Sequence, residues 1–303
     1  MESAPIDLRR GLSDQSATSA TPAPVRSARA EHLVHRALGY VAMAGIVVII
    51  GLPVLWLLTG ALKTNREIFS PVVQWLPANP TLDNFSRAWN AAPFDRYYIN
   101  SVVTTLAGGL VEVVMAITTA YALVYVRFPK RDWVFALLLV ALMVPEEVVI
   151  VPNYLTIAQW GLVNTYAGIV LPGASIAFGT FLLRQYFRTI PVDLTDAARV
   201  DGAGHARAML SIVVPIAAPA VATTAMLSFV AKWNEYLWPL IVTTTQEFRT
   251  LPIGLRWLLD QEGNTEWGVV MAATLFVVAP VIAVFLYAQR FLVSGIAAGA
   301  VKG

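Results

Sequence analysis

Long apolar runs constrain this chain more than any other feature. Six stretches approach or exceed the ~20 residues a helix needs to cross hydrocarbon. They cover about 37–61, 100–125, 133–151, 166–183, 213–242 and 269–292. Hydrocarbon offers no water to backbone N–H and C=O groups, so each run is best satisfied as a helix. Only 13% of the 303 residues are charged, about half the ~25% of a soluble domain. Such a chain cannot cover itself for water. The expected fold is an all-α integral membrane protein with six transmembrane helices over residues 33–303.

Composition also excludes several functions. A net charge of +2 gives no reason to expect nucleic acid. With no cysteine there is no disulfide, thiolate nucleophile or cysteine-ligated metal. His32, His35 and His205 are too few and too scattered for a metal site. No Ser/His/Asp set stands out. None of Lys63, Lys130, Lys232 and Lys302 sits in a Gly-x-x-x-x-Gly-Lys-Ser/Thr phosphate loop. A non-enzymatic subunit without a cofactor of its own is expected. Residues 1–32 are rich in Ser, Ala, Pro, Thr and Arg and have no apolar core. They read as a disordered cytosolic tail, not a signal peptide.

Basic residues orient the spans. With the N-terminus inside, 14 of the 21 Lys and Arg fall on the inner side. Both termini are therefore expected in the cytoplasm. Two sizeable outer segments follow, at about 62–99 and 243–268, both too polar for lipid. The loop at about 188–215 falls on the cytosolic side.

That loop carries the chain's most specific pattern: Asp196-Ala-Ala-Arg-Val-Asp-Gly202, then Ile212-Val-Val-Pro215. Pro191 suits the first turn of a new helix. Asp193 and Asp196 suit the positive end of its dipole. Ala197 and Ala198 leave room for a partner surface, and Gly202 permits a left-handed turn. Asp201, Ala203, His205 and Arg207 complete a charged, hinged pair of short helices, and Pro215 marks the return to the membrane. The pattern resembles the coupling loop of ATP-driven (ABC) importer permeases: Glu-Ala-Ala, three residues, Gly, nine residues, Ile-x-Leu-Pro. Asp196 stands for Glu and Val214 for Leu.

The resemblance reaches from about Leu33 to Gly303 and points to the maltose-type second permease of carbohydrate-uptake importers. It rests further on Thr59-Gly-Ala-Leu-Lys-Thr64, Trp233-Asn-Glu-Tyr-Leu-Trp-Pro-Leu240 and Thr250-Leu-Pro-Ile-Gly-Leu255. Met143-Val-Pro-Glu-Glu-Val148 and Thr265-Glu-Trp-Gly-Val-Val-Met-Ala272 are most similar to glycerol-3-phosphate and glycerophosphodiester importers. It implies a type I importer permease fold in a bacterial plasma membrane. Implied partners are a sister permease, two cytosolic ATPases that bind ATP and Mg, an extracytoplasmic binding protein and membrane lipid.

Charges inside spans are costly and mark function or mutual pairing. Glu112, Glu146, Glu147, Lys232 and Glu235 fall there. Glu146, Trp233, Asn234, Glu235 and Tyr236 are the candidates for a substrate path. Carboxylates beside aromatics suit a quaternary ammonium, as in glycerophosphocholine, or a neutral sugar. A disaccharide or oligosaccharide importer and an ion-coupled secondary transporter are the competing expectations.

Overall fold

The computed structural model describes residues 25–173, 176–259 and 265–300. Among the described residues the chain is helical, without strands. The chain divides into two units, Met1–Leu55 and Trp56–Gly303. In the first lies most of α1 (Val25–Gly60), whose apolar side chains, such as Ile46, Val47 and Ile49, are exposed as suits hydrocarbon. Residues 1–24 of the expected tail lie outside the described residues.

In the second unit, α2 (Asn65–Ile68) and α3 (Asp83–Asn90) precede the long α4 (Phe94–Tyr125). The basic turn 126–130 leads to α5 (Arg131–Leu142) and α6 (Glu146–Gln159). Next come α7 (Tyr166–Val170), α8 (Ala177–Phe187), α9 (Val192–Val200) and α10 (His205–Ala208). A π-helical turn at Met209–Val213 joins α10 to α11 (Val214–Ile216) and α12 (Ala218–Trp233). The chain closes with α13 (Leu237–Val242), α14 (Leu251–Leu259) and α15 (Trp267–Ala300).

Three described helices are long and apolar enough to cross a membrane: His35–Gly60, Phe94–Tyr125 and Trp267–Gln289. The expected third span is not one rod. It breaks between α5 and α6 with a bend of 98°. Pro145 has no N–H to donate and disfavours helical geometry at Val144, and it sits extended at φ −61°, ψ 135°. The expected fifth span is likewise bent, by 85°, between His205–Ile216 and α12. Pro215 and Pro219 each remove a backbone donor around Ala217. This span stops at Trp233, and α13 is a separate helix. The expected fourth span divides into α7 and α8, with Pro172 and Gly173 in the interval.

The core lies where α4 packs against α8 and α12, and α12 against α15. One cluster holds Phe94, Tyr97, Trp233, Leu251, Ala272 and Ala273. A second holds Ala116, Ala120, Tyr121, Tyr125, Phe187 and Val213, and a third Ile157, Ile169, Trp238 and Val242. Small residues such as Ala116, Ala120, Ala217 and Ala220 are buried at these crossings. Lipid tails are as apolar as leucine, so close van der Waals approach is what holds membrane helices together.

The two polar segments expected on the outer side are built, not slack. In the first, the Lys63 side chain is fully buried over the Trp56 ring at 4.2 Å. It donates to the carbonyls of Gln74 and Trp75. Glu67 accepts from the N–H groups of Thr64 (3.0 Å), Ala78 (3.1 Å) and Asn79 (3.1 Å). The second contains α14, whose Leu251, Ile253 and Leu258 are buried. Asn100 of α4 donates to the carbonyls of Glu247 (2.8 Å) and Arg249 (2.9 Å), and Ser101 accepts from the Leu251 N–H (2.8 Å). The segment's polar flanks hide this helix from a hydropathy reading.

Candidate functional site

The segment from α9 to α11 forms a projection closed by its own backbone. Pro191 precedes α9, and Asp193 stands in its first turn. At the far end Gly202 takes φ +80°. Its N–H donates to the Arg199 carbonyl (3.0 Å), and the Ala203 N–H reaches the Ala198 carbonyl (2.8 Å). This pair of bonds is the Schellman ending, which requires a left-handed residue at the glycine position. A Cβ on Gly202 would meet nothing within 4 Å, so backbone conformation, not crowding, selects glycine there.

The sequence-predicted residues divide between two faces. Asp196, Ala197, Asp201, Gly202, His205, Arg207 and Pro215 are exposed, and Ala203 is half-buried. Ala198 is buried at 6%. Of the two alanines only Ala197 offers surface, while Ala198 and Thr195 pack inward. Val200 is 88% exposed, an apolar side chain standing free beside Asp201.

Arg199 and His205 connect the projection to α4. One Arg199 nitrogen pairs with Asp196 at 3.2 Å, and the other donates to the Tyr125 carbonyl at 3.1 Å. The Tyr121 hydroxyl and His205 Nδ1 are hydrogen-bonded at 3.2 Å. Tyr125 in turn donates to the Phe187 carbonyl at 2.9 Å. Sequence reasoning missed this aromatic anchor. Its signal was available: Tyr121 and Tyr125 are four residues apart, so they share a helix face.

A second polar cluster lies where α12 meets α4 and the α7–α8 interval. Lys232 donates to the Gly173 carbonyl and pairs with Glu235 at 3.5 Å. Only 15% of the Lys232 side chain and 23% of that of Glu235 are exposed. A Cβ on Gly173 would fall 2.9 Å from the Lys232 ammonium, so glycine leaves the space the cation fills. One helical turn earlier, Ser228 donates to Glu112 at 2.9 Å. Thr104, Lys232, Glu235 and Thr250 line a cavity of about 10 Å³, room for roughly one water.

The other path candidates are placed differently. Trp233 is 2% exposed, stacks on Phe229 at 5.8 Å and donates to the Val277 carbonyl at 2.8 Å. It packs into the core beside α15. Asn234 is exposed and returns its amide to the Val230 carbonyl at 2.8 Å. Tyr236 is half-buried and Glu146 exposed. The cluster is therefore the Lys232–Glu235 pair with the Ser228–Glu112 bond one helical turn away, and Trp233 is turned away.

Residues 112–297, which include both polar regions, match the binding-protein-dependent transport system inner membrane component family. The chain belongs to this family. This permease is 32% identical over 271 residues to the sn-glycerol-3-phosphate transport system permease protein UgpE of Brucella abortus (strain 2308), covering 87% of this chain and 96% of that protein. It is 33% identical over 267 residues to the UgpE protein of Rhizobium meliloti (strain 1021), covering 86% and 95%. Its fold matches a bacterial ABC transporter involved in the import of the acidic polysaccharide alginate, with a TM-score of 0.76 at 23% identity over 89% of this chain and 99% of that one. A second match is an alginate ABC transporter in complex with a pentasaccharide-bound periplasmic protein, with a TM-score of 0.62 at 15% identity over 88% and 95%. The permease is thus a membrane transport subunit of an ABC importer.

Proposed function

We propose that this permease works beside a homologous sister permease and carries a glycerol-phosphate compound inward, either glycerol-3-phosphate or a glycerophosphodiester such as glycerophosphocholine. Two cytosolic ATPases supply ATP binding and hydrolysis, and an extracytoplasmic binding protein delivers the substrate. Six crossings leave both termini in the cytoplasm. The relatives' transported compound supports the substrate class, as does the likeness of 143–148 and 265–272 to that branch.

The observation that carries the coupling role is the Schellman-closed projection with its exposed Val200, Asp201 and Arg207. A partner gripping it meets an apolar side chain ringed by charge, on two short helices whose angle is set at Gly202. Force applied there passes to α4 through Arg199–Tyr125 and His205–Tyr121, and along the chain to α12. Closure of the ATPase pair thereby moves α4 and α12 together, and the Lys232–Glu235 cluster lies between them.

Glu235, Glu146, Asn234 and Tyr236 face the substrate path in this reading. Net negative charge in the cluster favours a substrate with a cationic head over a bare phosphate.

The test is ATP hydrolysis by the reconstituted complex. Substrate-loaded binding protein stimulates the wild type. Gly202→Val forces a branched residue into the left-handed region, at a local cost of ~1–2 kcal/mol, and is expected to remove most of the stimulation from a fully assembled complex. Undiminished coupling in that variant would take Gly202 out of the mechanism.

A further inference from the structure

The turn between α4 and α5 holds a concentration of charge that transport leaves unused. Arg127, Lys130 and Arg131 line an open groove of about 760 Å³ together with Trp133. Lys130 takes the left-handed conformation, φ 60°, which crowds the three cations into one tight turn. Arg131 and Arg188 also act electrostatically on Arg184. Arg184 is 9% exposed. Its guanidinium lies 3.8 Å over the Phe135 ring, which stacks on Phe181 at 10°. The carboxylate at this site is Asp132, 3.6 Å from Arg184 and itself 81% exposed. It leaves the Arg184 Nε–H buried and without a partner.

Directly above this charge the surface becomes apolar. In α5 no residue is buried, and Trp133, Leu137 and Val140 are 72%, 66% and 57% exposed. Trp133 stands where the charged turn meets the apolar wall, the position tryptophan favours at a membrane interface. A polybasic turn with two arginines, at the foot of a helix with an exposed apolar face, suits one kind of occupant. Guanidinium forks fit phosphate oxygens, and basic groups between helices at the inner face attract anionic headgroups.

We propose that the groove at Arg127–Trp133 binds the headgroup phosphate of an anionic phospholipid whose acyl chains lie along α5. The occupant meets both halves of the surface at once, which a free phosphate ion cannot do.

The test is lipid retention by the purified complex, read by native mass spectrometry. The complex is taken from vesicles of phosphatidylcholine with and without phosphatidylglycerol. Phosphatidylglycerol is expected to be retained in preference to phosphatidylcholine. The double variant Lys130→Gln, Arg131→Gln should hold it about thirty-fold more weakly, from roughly 1 kcal/mol per surface cation. The charge-preserving pair Lys130→Arg, Arg131→Lys should hold it as the wild type does, which separates loss of charge from damage to the fold. Three outcomes overturn the proposal. One is equal retention by wild type and the neutral variant. Another is displacement of the lipid by millimolar inorganic phosphate, which marks a site for the ion alone. The third is loss of a protein subunit from the neutral variant in step with the lipid, which marks a subunit interface.

Discussion

Two polar interruptions of an apolar chain meet the same difficulty in opposite ways. The segment α9–α11 exposes its charges and closes its backbone locally, through bonds spanning no more than five residues. The Lys232–Glu235 cluster largely buries its charges and, beyond that i,i+3 pair, closes through distant partners: Gly173 lies 59 residues from Lys232, and Glu112 lies 116 from Ser228. The first arrangement can be displaced as a unit without breaking its internal bonds. The second cannot move without exchanging partners. A transporter needs both behaviours, one where force enters and one where a substrate must be admitted and released.

The largest effect that tests this contrast is expected at Lys232. Lys232→Met leaves Glu235 largely buried without its ammonium partner, and losing one partner of a buried pair costs on the order of 3 kcal/mol. Thermal unfolding of the purified complex should show it, and Lys232→Met with Glu235→Gln should recover most of the loss. If the single variant is as stable as wild type, the cluster does not depend on its distant partners. Glu235→Gln alone should reduce uptake of a choline-bearing glycerophosphodiester by more than it reduces that of a neutral sugar. Equal effects on the two, measured as uptake into proteoliposomes, would remove the cationic-head argument.

A smaller change follows from Tyr125→Phe, which removes one of two donors to the Phe187 carbonyl, the Ile190 N–H remaining at 3.2 Å, at a cost of ~1 kcal/mol. Substrate-stimulated hydrolysis should fall while basal hydrolysis holds, because this bond ties α4 to the end of α8, from which the chain enters the projection. A parallel loss of both rates would make Tyr125 a packing residue only.

The smallest effect concerns the outer segment. Backbone N–H groups of Thr64 and Asn79, with that of Ala78, hold the Glu67 carboxyl below the usual carboxylate range. A depressed folded-state value stabilises fully above the unfolded pKa, and that contribution disappears as pH falls through the lower one. Protection factors for amide exchange at 64–79, corrected for the intrinsic rate at each pH, should therefore be high at neutral pH and fall under acid conditions. In Glu67→Gln the acid dependence should be missing.

Legibility in the sequence follows the same division. Gly202 could be assigned its left-handed turn because a helix ending is written in adjacent residues, and the six apolar runs were plain from length alone. Ala197 and Ala198 look alike in sequence, yet the 100° step between neighbours sends one outward and the other, with Thr195, into the core. Pro145 signalled a bend, but its size depends on what α5 and α6 pack against. Trp233 belonged by type to an aromatic lining, and only the position of Val277 on α15 shows it to be core. The pairing of Lys232 with Gly173 left no local trace.

The break at Pro145 has a consequence for the bilayer itself. Uninterrupted helix on this part of the chain is α5 alone, 12 residues, or roughly 18 Å of rise against a hydrocarbon thickness of ~30 Å. Beyond it stand the unbonded N–H groups that open α6, with Glu146 and Glu147 exposed among them. Oil cannot satisfy such groups. Water or a neighbouring protein surface has to meet them, so α5 alone does not carry this part of the chain across the bilayer.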